Sequence, residues 1–130
     1  MEVPKFMFLL RTKTVLKLQA KSMDSSNNYM KVFLDNENKH NYRFFLNETI
    51  RIIEESISNT QDELLKMILP QLHDIKINVV EQRTITDWDD IDERYTIGSL
   101  AIHNMDEKDT MRERILNIFY GAIEYNDFPE

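Results

Sequence analysis

The chain has 130 residues, no cysteine, two glycines and a formal charge of −7. Disulfides, thiolate nucleophiles and thiolate metal sites are therefore excluded, and glycine is too scarce for a loop that cradles phosphate. The 42% apolar and 30% charged shares are those of a soluble globular chain long enough for one core, so a single domain over residues 1–130 is predicted.

The charge is divided along the chain. Residues 1–45 carry eight Lys/Arg against four Asp/Glu, and residues 46–130 carry eight against nineteen. Scarce Gly and Ala beside plentiful Asn, Ile and Lys match AT-rich coding, as in low-GC bacteria and their phages. The apolar run at residues 6–10 is closed by Arg11 and is too short for a signal or a membrane span. A cytoplasmic protein without a membrane segment is expected.

Residues 5–20 alternate after Leu10. Leu10, Thr12, Thr14, Leu16 and Leu18 fall on one side, with Arg11, Lys13, Val15 and Lys17 on the other, which predicts a strand with a basic face. Residues 22–28 are turn chemistry. Two further strands are predicted at 29–34 and 42–46, completing a three-stranded meander. At residue 47 the period changes. Asn47 or Thr49 caps a helix carrying Ile50, Ile53 and Ile57. Thr60 and Glu63 have capping-box spacing for a second helix that stops at Pro70. Strand character returns at 74–83 and at 94–103, where Gly98 marks a bulge, and the acidic segment 87–93 is the loop between them. A last helix starts at Asn104 or Asp106 and runs to about Glu124. Met111, Ile115, Ile118, Phe119 and Ala122 form its core stripe, and Leu116, Tyr120 and Ile123 a second apolar row. The tail, residues 126–130, is expected to fray. The predicted fold class is α+β, in the order β-β-β-α-α-β-β-α, with helices on one face of a mostly antiparallel sheet.

The densest chemistry is the acidic segment: Asp87, Asp89, Asp90, Asp92 and Glu93 around Trp88, the only tryptophan. Carboxylates at this density meet solvent or a cationic partner. They do not fit a calcium loop, because Asp92 stands where glycine is required and Gly98 where glutamate is. His40, His73 and His103 lack zinc spacing; the best acid–base pairing the order permits is His103 with a carboxylate of 87–93, if the predicted hairpin brings them together. Ser99 lacks a nucleophile elbow. Arg11, Lys13, Lys17 and Lys31 interleave with Tyr29, Phe33 and Tyr42, the pattern of a single-strand-binding sheet, but the net charge opposes nucleic acid.

The reading these features favour is a small acidic, non-catalytic protein-binding module without a cofactor. Asp87, Trp88, Asp89, Asp90, Asp92 and Glu93 would dock on a basic protein surface, as immunity-type or phage-encoded inhibitors do by analogy of composition. The first alternative is a secretion or assembly chaperone, dimeric through Leu116, Tyr120 and Ile123. The second is a metal-dependent enzyme using carboxylates and His103.

Overall fold

The computed structural model describes residues 28–130. They form six α-helices: α1 Asn28–Asp35, α2 Lys39–Thr60, α3 Glu63–Ile75, α4 Trp88–Arg94, α5 Ile97–Asn104 and α6 Thr110–Glu124. A π-helical segment, Lys76–Glu81, continues α3, and a 3-10 turn, Tyr125–Asp127, follows α6. No strand occurs among the described residues, which overturns the α+β class, the antiparallel sheet and the predicted element order. The strand predicted within residues 5–20 lies outside the described residues.

The reason lies in which residues are buried. In α1 the inward set is Met30, Phe33 and Leu34, at i, i+3 and i+4. In α2 it is Tyr42, Phe45, Leu46, Thr49, Ile50 and Ile53, an unbroken stripe that joins the predicted strand at 42–46 to the predicted helix after it. Both stripes have the helical period. Aromatic and β-branched side chains raised the strand propensity of these windows, and burial of a helical face overrode it. Likewise Ile75, Val79 and Val80 are buried while Ile77 points outward, so residues 74–83 hold the end of α3 and the π segment, not a strand. Residues 94–103 give the end of α4 and all of α5, burying Ile97, Gly98 and Ala101.

Caps set the boundaries. Asn38 Oδ1 accepts from Asn41 N at 2.7 Å, opening α2. Gln61, at φ 58°, closes it in the left-handed region, and Asp62 then opens α3 by accepting from Leu65 N at 3.1 Å. Thr60 therefore ends one helix and does not cap the next. Pro70 lies inside α3, which continues because Ile68, Leu72 and Ile75 on its inner face are fully buried. Asp109 caps α6, accepting from Met111 N at 2.9 Å.

The centre of the core is α6. Every residue from Glu113 to Ile123 is buried, and α2, α4 and α5 all pack against it. Two close approaches need glycine: Gly121 lies under the Tyr42 ring of α2, and Gly98 of α5 under Phe119. The Tyr42 hydroxyl donates to the Ile118 carbonyl at 2.6 Å, tying α2 to the spine. The C-terminal tail does not fray. Lys39 N donates to the Pro129 carbonyl at 2.8 Å, and the buried Lys39 ammonium donates to the carbonyls of Phe128 and Asn126. Phe128 in turn packs edge-on against Phe33 at 5.5 Å.

One buried group opposes folding at neutral pH. Glu113 is 2% exposed, its Oε2 has no hydrogen-bond partner, and burial raises its pKa above the ordinary 4.5 against the pull of Arg112. A raised carboxyl pKa favours the neutral form in the folded state. Its stabilising contribution is full below pH 4.5 and is lost as pH rises through the raised value. Four residues on, Asn117 Oδ1 is a second buried acceptor without a partner. Glu113→Gln removes the charge and supplies a donor beside it. The variant is expected to unfold at higher urea concentration than the parent at pH 7.5, with the gap shrinking towards pH 5. An unchanged or lower midpoint at pH 7.5 would contradict the burial of an ionised Glu113.

Candidate partner-docking site

The acidic segment is a helix, not a loop. Asp87 adopts the extended N-cap conformation, Asp89 and Asp90 sit in the first turn and Arg94 in the last, each on the favourable side of the helix dipole. Ile91 is buried and anchors α4 against α6. At roughly 100° per residue, Asp89, Asp90 and Glu93 fall within about 100° of one another, on the side away from Ile91. Asp92 lies at the flank and is partly buried, and Trp88 is partly buried against the core. Asp87, Asp89, Asp90 and Glu93 are exposed, and none makes an ion pair with the described residues.

Beside this face a polar network fixes α4 to α3. Asp74 accepts from Arg94 Nε at 2.7 Å and Nη2 at 3.0 Å, from Asn78 Nδ2 at 2.9 Å and from the Tyr95 hydroxyl. The Arg94 hydrogen bonds, helped by those of Tyr95 and Asn78, hold the Asp74 carboxyl down at about 2. A depressed carboxyl pKa stabilises the fold above the ordinary 3.8, and this contribution is lost as pH falls from there through about 2. One turn earlier, Gln71 grips Thr96 through both amide atoms, accepting from Thr96 N at 2.7 Å and donating to its hydroxyl at 2.8 Å. Along the π segment, the Asn78 carbonyl accepts from Thr84 N at 2.8 Å and Ile85 N at 3.2 Å, ordering the approach to α4. Single-turn π segments are frequent at functional sites. A shallow depression of about 470 Å³, lined by Thr84, Ile85, Asp90, Glu93 and Arg94, opens beside α4.

The carboxylates of 87–93 were visible in the sequence; Gln71, Asp74, Asn78, Arg94 and Tyr95 were not singled out. Their signal was the polar spacing 71, 74, 78 on one helical face, hidden when residues 74–83 were read as a strand.

The other sequence-derived candidates fare differently. Leu116, Tyr120 and Ile123 are 0%, 2% and 9% exposed, enclosed within the fold, so the row is not a free face for a dimer. Phe33 and Tyr42 are buried and cannot stack on bases; Tyr29 and Phe44 are exposed but stack on each other at 5.4 Å. His40 packs edge-on against Phe44, His73 Nε2 lies 3.7 Å from Glu54, and His103 is exposed in the last turn of α5. Among the described residues no three His, Asp or Glu side chains are grouped to hold a metal ion. No helix among them is long and apolar enough to cross a membrane.

Fold and surface together define a class: a helical domain around a buried central helix, presenting one short acidic helix at its surface. No protein-family model, curated protein or solved structure matches the chain.

Proposed function

We propose that the protein is a small acidic, non-catalytic binding module that docks a basic protein surface through α4, in the manner of an immunity-type or phage-encoded inhibitor. The observation that carries this reading is the set Asp89, Asp90 and Glu93 on one side of α4, with Asp87 at its N-cap, each exposed and unpaired with the described residues. Leaving carboxylates this close together without a cation is electrostatically unfavourable in isolation and favourable against a cationic partner. Trp88 and Ile91 seat the helix against the core, so the carboxylates are presented on a fixed scaffold. The chaperone-dimer alternative loses its surface with the burial of Leu116, Tyr120 and Ile123. The metal-enzyme alternative has no grouped ligands to name among the described residues.

Decalysine is a suitable cationic probe. Binding to the parent protein should weaken steeply between 20 and 200 mM salt. Asp89→Lys/Glu93→Lys should weaken it by about tenfold more than Glu54→Lys/Glu55→Lys, which changes net charge equally on α2, since tenfold corresponds to about 1.4 kcal/mol. Equal losses from the two double variants would remove α4 as the docking surface.

A further inference from the structure

Arg94 is the only cation of α4, and it stands four residues after Asp90. Acid then base at i, i+4 is the favoured order for an ion pair on a helix surface. That pair is not made. The guanidinium turns instead to Asp74 on α3, which it grips with two parallel hydrogen bonds. Asp74 is held for this role from two other directions, by the Tyr95 hydroxyl and the Asn78 amide. A carboxylate pre-set in this way captures a planar guanidinium at smaller loss of side-chain freedom than the exposed Asp90 could. Asp90 and Arg94 nonetheless line the same depression, so the alternative partner is close.

We infer that Asp74 is a positioning residue: by sequestering Arg94 it keeps Asp89, Asp90 and Glu93 of α4 unpaired with the described residues and available to a cationic partner. The inference rests on the docking reading above. It explains why the one positive side chain on the acidic helix does not neutralise it. It also joins the π segment to the surface, because Asn78 both orients Asp74 and holds Thr84 and Ile85 at the edge of the depression.

The experiment compares Asp74→Asn, Arg94→Gln, the double variant and Tyr95→Phe, using carboxyl titrations followed by carbon NMR and binding to decalysine at low salt. In Asp74→Asn, Arg94 is released to Asp90. The Asp90 carboxyl should then titrate at lower pH than in the parent, and decalysine affinity should fall by about three- to tenfold. Adding Arg94→Gln to Asp74→Asn should restore both. Tyr95→Phe, which removes a tie to Asp74 but leaves Arg94 paired, should lower the melting temperature without moving the Asp90 titration. Asp74→Asn/Lys108→Gln has the same net charge as Asp74→Asn/Arg94→Gln but leaves Arg94 in place, and should restore neither; equal rescue by both would reduce the effect to net charge. An unchanged Asp90 titration in Asp74→Asn, or a double variant that binds no better than Asp74→Asn, overturns the inference. If the titrations shift as expected but the parent does not bind decalysine, the sequestration of Arg94 stands and the docking reading falls.

Discussion

Glu48→Ala is expected to destabilise the protein by about 3–5 kcal/mol, the usual result of stripping one partner from a buried ion pair. Arg114 is 2% exposed at the centre of the fold, and its Nη2 lies 2.6 Å from Glu48 Oε1. Its Nη1 donates to Thr49 Oγ1 at 2.8 Å, and the guanidinium lies 5.6 Å from the Phe45 ring centroid. Burial already pushes the Arg114 pKa down, and the Glu48 carboxylate is what opposes that shift. Without Glu48 the cation keeps the hydroxyl and the ring but no anion. Two states then compete: a folded protein holding a poorly solvated charge, and an opened one that hydrates it. Replacing both partners, as Glu48→Leu/Arg114→Met, is expected to cost far less than Glu48→Ala, because no uncompensated charge remains. Urea unfolding followed by far-ultraviolet circular dichroism measures both. A loss below about 1 kcal/mol for Glu48→Ala would place the pair in the exposed, weakly coupled class.

Gly121→Ala is expected to destabilise, against the sign that helix propensity alone would give. Alanine in a helix interior is favoured over glycine by about 1 kcal/mol. Here an added Cβ would meet Tyr42 Cε1 at 2.3 Å and Cδ1 at 2.7 Å. The ring cannot step aside freely, since Tyr42 is fully buried and its hydroxyl is bonded to the Ile118 carbonyl on the same helix. The helices α2 and α6 must separate or the hydrogen bond must break. Overpacking of this kind typically costs about 1–3 kcal/mol, or more where the obstacle is rigid, so it outweighs the propensity gain. A net loss of about 1–3 kcal/mol is the expected result by urea unfolding. Gly121→Ala combined with Tyr42→Leu should recover part of it; a stabilised single variant would show that the two helices are less closely packed than described.

Three of the six described helices were legible, in whole or in part. The last helix was read from its apolar stripe, with its start misplaced by four to six residues because Asp109, not Asn104 or Asp106, makes the cap. The helices around residues 50–57 and 64–69 were read correctly, but their boundaries were not. Residues 29–34 and 42–46 were lost because windows of five or six residues fit either period. Only the longer stripe from Tyr42 to Ile53 separates them. The π segment was hidden for a different reason: Ile75, Ile77 and Val79 alternate with Lys76 and Asn78 as a strand would, yet Ile77 points outward and Val80 joins Ile75 and Val79 in the core. The acids of 87–93 announced the candidate surface by composition. What organises that surface, the grip of Asp74 on Arg94 across twenty residues, follows only from the three-dimensional course of α3 and α4.

The position of α6 in the chain also bears on how the protein is made. The helix around which α2, α4 and α5 assemble is translated after all of them, so their apolar faces leave the ribosome before the surface they cover exists. Packing against α6 must therefore wait until residues 110–124 have emerged, although α1, α2 and α3 can already pack on one another. Until then Tyr42, Phe45 and Gly98 lack Gly121, Arg114 and Phe119, the residues they meet on α6, a window in which holding by a chaperone would be most useful.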